Sequence, residues 1–137
     1  MIVIDEYLAV RVLRADWPEG LPDDDLGLPA SRHWRLLQAL HNPRGGQLSQ
    51  LLAELSPGGR DSIRRPHPEV VAIVDPRPLL DDAAAIAARF GTSGLLIAET
   101  LAAGLANGEE LWFGTDRNIG GLVERAAPEL GISIRVV

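Results

Sequence analysis

Two aspartates stand directly behind short apolar runs of the kind that form buried strands. Asp5 follows Ile2-Val3-Ile4, and Asp116 follows Leu111-Trp112-Phe113-Gly114-Thr115. In an open parallel sheet, ligands bind beyond the carboxyl ends of the strands, so acids delivered there face a common crevice. Carboxylates gathered in one pocket repel and raise one another's pKa unless a cation lies between them. A hard divalent ion with oxygen ligands resolves that repulsion, and it can activate water for attack on a phosphodiester. The plainer reading of each aspartate is an N-cap on the helix that follows, a role Asp fills well. Asp75 also follows an apolar run, but Asp75-Pro76 reads as a turn and is left out of the site.

The elements that must position these acids follow from periodicity and punctuation. Ile2-Val3-Ile4 is a strand and Tyr7 to Leu13 a helix, while Asp16 to Ala30, rich in Pro, Gly and Asp, reads as a loop. Ser31 caps a helix to about His41, and Leu48, Leu51, Leu52 and Leu55 mark a second, which Pro57-Gly58-Gly59 stops. Val70 to Val74 is a strand. Leu79 to Phe90 forms a helix ended by Gly91, and a further helix capped by Thr92 or Ser93 runs to about Ala106. Leu111-Trp112-Phe113 is a strand, Arg117 to about Ala127 a helix, and Ile132 to Val137 a last strand. Strands separated by helices imply one domain over residues 1–137: a mainly parallel sheet with helices on both faces.

Composition narrows the chemistry. With 137 residues there is room for one core; with no cysteine there are no disulfides, thiolate metal sites or cysteine nucleophiles. No Lys is present, which excludes a P-loop; all 13 basic residues are Arg. The net charge of −6 is unevenly spread. Leu26 to His67 carries six Arg against two acids, a balance of +4, and the rest of the chain stands at −10. A basic middle beside an acidic remainder suits phosphate held next to metal-binding carboxylates, and equally a solvated helix face. The acidic start, Met1 to Glu6, is unlike a signal peptide, and no apolar run approaches a membrane span, so a cytoplasmic location is expected.

In this order the motifs resemble the PIN domain family, in particular the VapC toxins of bacterial toxin–antitoxin pairs. The resemblance covers nearly the whole chain. Met1-Ile2-Val3-Ile4-Asp5 is similar to the family's opening strand and first metal-binding Asp, and Leu51-Leu52-Ala53-Glu54-Leu55 to its helix with a Glu. Leu80 to Ala87 and Leu96 to Ala102 resemble its paired helices, and Leu111 to Asn118 the strand and turn with the last acid. Leu130 to Val137 fits the closing strand. The resemblance implies a PIN-like three-layer α/β/α fold with a sheet of four to five strands. It further implies a Mg²⁺- or Mn²⁺-dependent endoribonuclease, acting as a toxin, with an RNA substrate, a cognate antitoxin and a homodimeric state.

By the same resemblance Asp5 and Asp116 would be metal ligands, with Glu54 a further one. The family's third acid falls either on Glu99, 17 residues before Asp116, or in another register on Gly94, which has no carboxylate. Glu6, directly after Asp5, is either a fourth acid or a solvent-facing residue. Thr115 and Asn118 are candidates to bind phosphate or a metal-bound water, and Arg60, Arg64 and Arg65 lie in a loop that would meet RNA or an acidic partner. His33, His41 and His67 lack ligand spacing and read as surface residues. Trp112 reads as core, and the helices around Trp34 and Leu51 are the candidate partner surface. The rival from another class is a PIN-fold protein without activity, serving in binding or assembly.

Overall fold

A computed structural model describes residues 1–92 and 94–137 of the chain. Its elements are β1 (Ile2–Ile4), α1 (Glu6–Leu13), β2 (Leu26–Pro29), α2 (Ala30–His41), α3 (Gly46–Ala53), α4 (Pro57–Arg64) and β3 (Ala72–Val74). There follow α5 (Leu80–Phe90), α6 (Leu95–Ala106), β4 (Glu110–Phe113), α7 (Gly121–Glu129) and β5 (Ser133–Val136). The five strands form one all-parallel sheet in the order β3-β2-β1-β4-β5. This is the three-layer α/β/α architecture of a PIN-like fold.

Alternation along the central strands sorts the core into two clusters, because successive strand side chains point to opposite faces. Ile2, Ile4 and Trp112 join Leu8, Val12, Leu36, Leu52 and Ile63 on the side of α1 to α4. Val3, Leu111 and Phe113 join Ile86, Leu101, Val123 and Ala126 on the side of α5 to α7. β1 lies at the centre, with Val3 opposite Leu111 and Ile4 opposite Trp112. The ends of β1 and β4 therefore emerge side by side.

Two segments differ from the sequence reading. Leu26–Pro29, placed inside the first long loop, is a fully buried strand, with Gly27 packed against the Met1 and Val74 side chains. Pro57 starts a helix where a stop was expected: Ser56 Oγ accepts from Gly59 N–H (3.1 Å), and Pro57 lies in the first turn, where its missing N–H costs nothing. The Arg60–Arg65 stretch is thus α4 and its C-cap, not a loop. The α2 helix begins one residue before Ser31, with Pro29 as N-cap. Of the two caps offered for α6, Ser93 lies outside the described residues, and Gly94 takes the N-cap position. Among the described residues, no helix is long and apolar enough to cross a membrane.

Candidate functional site

At the end of β1 the chain turns directly into α1, and Asp5 is that helix's N-cap. Its Oδ1 accepts from Leu8 N–H (2.9 Å) and from Gly114 N–H (2.9 Å); its Oδ2 accepts from Asn118 Nδ2 (2.7 Å). One carboxylate thereby fastens the start of α1 to the turn after β4. Burial, and then the charge of Glu6, push the Asp5 carboxyl from 3.8 to about 6, against the pull of Leu8 N–H, Arg32 and Asn118.

That shift has a measurable consequence. An acid whose folded-state pKa lies above its unfolded value binds its proton more tightly in the folded chain. Asp5 therefore favours folding most below about pH 4, and this contribution is withdrawn as pH rises to about 6; two units correspond to about 3 kcal/mol. Glu6 acts oppositely: its pKa is lowered, so its contribution is present above 4.5 and lost as pH falls below. Melting temperatures between pH 4 and 7 are expected to fall for the native chain relative to Asp5→Asn. Parallel curves for the two proteins would contradict the assignment.

Glu6 neither faces solvent nor joins a group of acids. It is completely buried, with Arg32 Nη1 on Oε2 at 2.7 Å and Arg35 Nη1 on Oε1. Burial opposes its charge, but Arg32 and Arg35 together outweigh that and hold the carboxyl below its ordinary range. Arg32 is itself 1% exposed; its Nε donates to Thr100 Oγ1 (2.7 Å), and its guanidinium lies 5.5 Å from the Phe113 ring centroid. Arg35 also donates to Asn118 Oδ1 (2.9 Å). A continuous network therefore runs Asp5–Asn118–Arg35–Glu6–Arg32–Thr100, joining β1, α2, α6 and the turn after β4.

Glu99 lies beside that network on α6, buried, with Oε2 accepting from Ser31 N–H (3.3 Å) at the start of α2. It stands in for the side-chain cap that Pro29 cannot provide. Among the described residues, Glu99 Oε1 and Ser31 Oγ have no hydrogen-bond partner. Gly94, the alternative third position, is the exposed N-cap of α6. Asp116 opens a 3₁₀ turn and is exposed; Glu54 is the exposed C-cap of α3.

Among the described residues, no three His, Asp or Glu side chains form a group able to hold a metal ion. Asp5, Glu54, Glu99 and Asp116 thus do not close into a four-acid centre. Both Asp5 oxygens are engaged by N–H donors and both Glu6 oxygens by guanidiniums, leaving Glu99 Oε1, among the described residues, as the one orphaned buried carboxylate oxygen. A divalent cation of the Mg²⁺ class demands near-octahedral oxygen coordination. The donor set does not fit it, because arginine already supplies the positive charge in this corner.

Comparison with protein-family models, with curated proteins and with solved structures finds no match.

Of the remaining candidates, Asn118 is in the network, while Thr115 is half-buried beside it. Arg64 is paired with Asp61 (3.0 Å), and Arg65 is exposed. His33 is not a free surface residue: its Nε2 meets the Ile63 carbonyl at 2.8 Å, tying α2 to α4. Arg32, Arg35 and Thr100 were missed by the sequence reading. Their signal was faint, two arginines three apart on a helix whose next turn carries the buried Leu36.

Proposed function

We propose that this chain is a PIN-fold binding or assembly protein in which the carboxyl-end corner of the sheet is a structural lock, not a metal-dependent nuclease centre. The observation that carries this reading is the pairing of one fully buried Glu6 with two guanidiniums, Arg32 and Arg35, one residue from Asp5. A cationic side chain inside the corner opposes entry of a divalent ion, since like charges destabilise one another strongly where water is excluded. Trp34, 61% exposed on the same α2 helix, supports a role in binding, because large aromatics are over-represented among the residues that anchor protein interfaces.

One observation favours a second reading, a Mg²⁺- or Mn²⁺-dependent endoribonuclease toxin with a cognate antitoxin and a homodimeric state: the buried Glu99 Oε1 without a partner. Two measurements separate the readings. Titration with Mn²⁺ to 1–10 mM is expected to leave the melting temperature of the native chain and of Asp5→Asn equally unmoved, because only a site in the folded state yields a stabilisation growing with ion concentration. RNA cleavage is expected to be absent with either ion. Mn²⁺-dependent cleavage abolished by both Asp5→Asn and Glu99→Gln would reject the lock and install the nuclease.

A further inference from the structure

Next to the lock, between α2 and the start of α3, lies a cleft of about 340 Å³ lined by Arg35, Gln38, Asn42, Arg44, Leu48 and Ser49 among others, with no acidic side chain on its wall. We propose that this cleft is a binding site for the phosphate group of a nucleotide or of an RNA end. It does not depend on whether the corner at Asp5 holds a metal, since none of its residues is a carboxylate.

Glu6 is shared by Arg32 and Arg35, and Arg35 carries its guanidinium from the lock to the cleft with its side chain 40% exposed. Arg44 faces the same cleft and has no carboxylate partner among the described residues. With the Asn42 amide turned so that its oxygen faces Arg44, that oxygen accepts from Nε at 3.3 Å and Nη2 at 3.2 Å. Asn118 Oδ1 does the same for Arg35 at 2.9 Å. Neutral amides thus steer both guanidiniums, and the Arg44 charge is left uncancelled by any carboxylate among the described residues, an arrangement that raises affinity for anions.

Two guanidiniums, the Gln38 amide and the Ser49 hydroxyl offer more hydrogen atoms than the two oxygens of a carboxylate can use. The three terminal oxygens of a phosphate monoester can engage them all, some in bidentate pairs. The first turn of α3 adds backbone N–H groups without a side-chain cap, and Gly45, its N-cap, lines the cleft with no atom within 4 Å of where a Cβ would stand. Leu48 provides a short apolar wall against which a sugar can rest.

Binding is to be measured by calorimetry at low salt with EDTA present, using inorganic phosphate, AMP, a 5′-phosphorylated ribo-oligonucleotide and acetate as probes. Arg35 belongs to the lock, so the discriminating variants are the exposed Arg44→Glu and the milder Ser49→Ala, each checked for a native melting curve. Phosphate-bearing probes are expected to bind, with affinity reduced at least about tenfold in Arg44→Glu, as follows from losing charge-assisted hydrogen bonds. Equal affinity for phosphate and AMP would identify the phosphate as the whole determinant. Tighter AMP would add the amides of Gln38 and Asn42, and tighter oligonucleotide an RNA end. Absence of binding by all three at 10 mM, unchanged affinity in Arg44→Glu, or acetate binding as well as phosphate would overturn the proposal.

Discussion

Replacement of Arg32 by methionine is expected to lower the free energy of unfolding by about 3–5 kcal/mol, the usual result of removing one partner from a buried ion pair. The reason is desolvation. Glu6 has no access to water, so loss of Arg32 leaves Oε2 without its 2.7 Å donor, and Thr100 loses the Nε–H that joins α6 to the network. Arg35 remains on Oε1 but is partly exposed, and its charge is correspondingly screened. Adding Glu6→Leu to Arg32→Met is expected to recover most of the loss, because replacing a buried pair by apolar side chains is often neutral or stabilising. Urea titrations with unchanged slope measure both effects. An Arg32→Met chain within about 1 kcal/mol of the native one would mean that Glu6 and Arg32 are not a desolvated pair in solution.

The second large effect concerns Gly114, where β4 leaves the sheet. A Cβ there would meet Leu8 N at 2.7 Å, Tyr7 C at 3.0 Å and Leu8 Cα at 3.1 Å. All three are backbone atoms of the first turn of α1 and cannot swing aside as a side-chain tip would. The Gly114 N–H simultaneously donates to Asp5, so a shift that relieves the clash breaks the fastening between β4 and α1. Gly114→Ala is therefore expected to cost about 3 kcal/mol, at the upper end for overpacking. Gly121→Ala is the control: nothing lies within 4 Å of its added Cβ, and alanine favours the helix that starts there. Equal melting temperatures for the two variants would show that the β4–α1 approach is looser than described.

The sequence was readable where apolar spacing was regular. Ile2-Val3-Ile4, Leu111-Trp112-Phe113 and the α6 helix carry apolar runs that burial explains, and α5 shows a narrow buried stripe of Ala83 and Ile86. Leu26–Pro29 was not readable, since four residues holding a Gly and a Pro carry no period; their burial depends on Met1 and Val74, distant in sequence. Ser56-Pro57 was readable in principle, because an N-cap serine followed by proline starts a helix as readily as proline ends one. At the site, Asp5 was located correctly at the strand end, and its capping role was one of the two readings the residue type allows. What spacing could not reveal was the state of Glu6. An arginine looks alike on a helix wheel whether it serves water, phosphate or a buried acid, and the contacts that decide span 26 and 29 residues.

The position of β1 bears on how the chain is made. Of the five strands, the first to be synthesised is the middle of the sheet, and one of its two flanks stays bare until β4 emerges. At ordinary elongation rates the roughly hundred intervening residues take about 5–20 s to synthesise. Through that interval Ile2, Val3 and Ile4 present an open, sticky edge, and Asp5 lacks two of its three donors, Gly114 and Asn118. Completion of this sheet thus waits on β4 and β5, and loss of that segment removes support from β1.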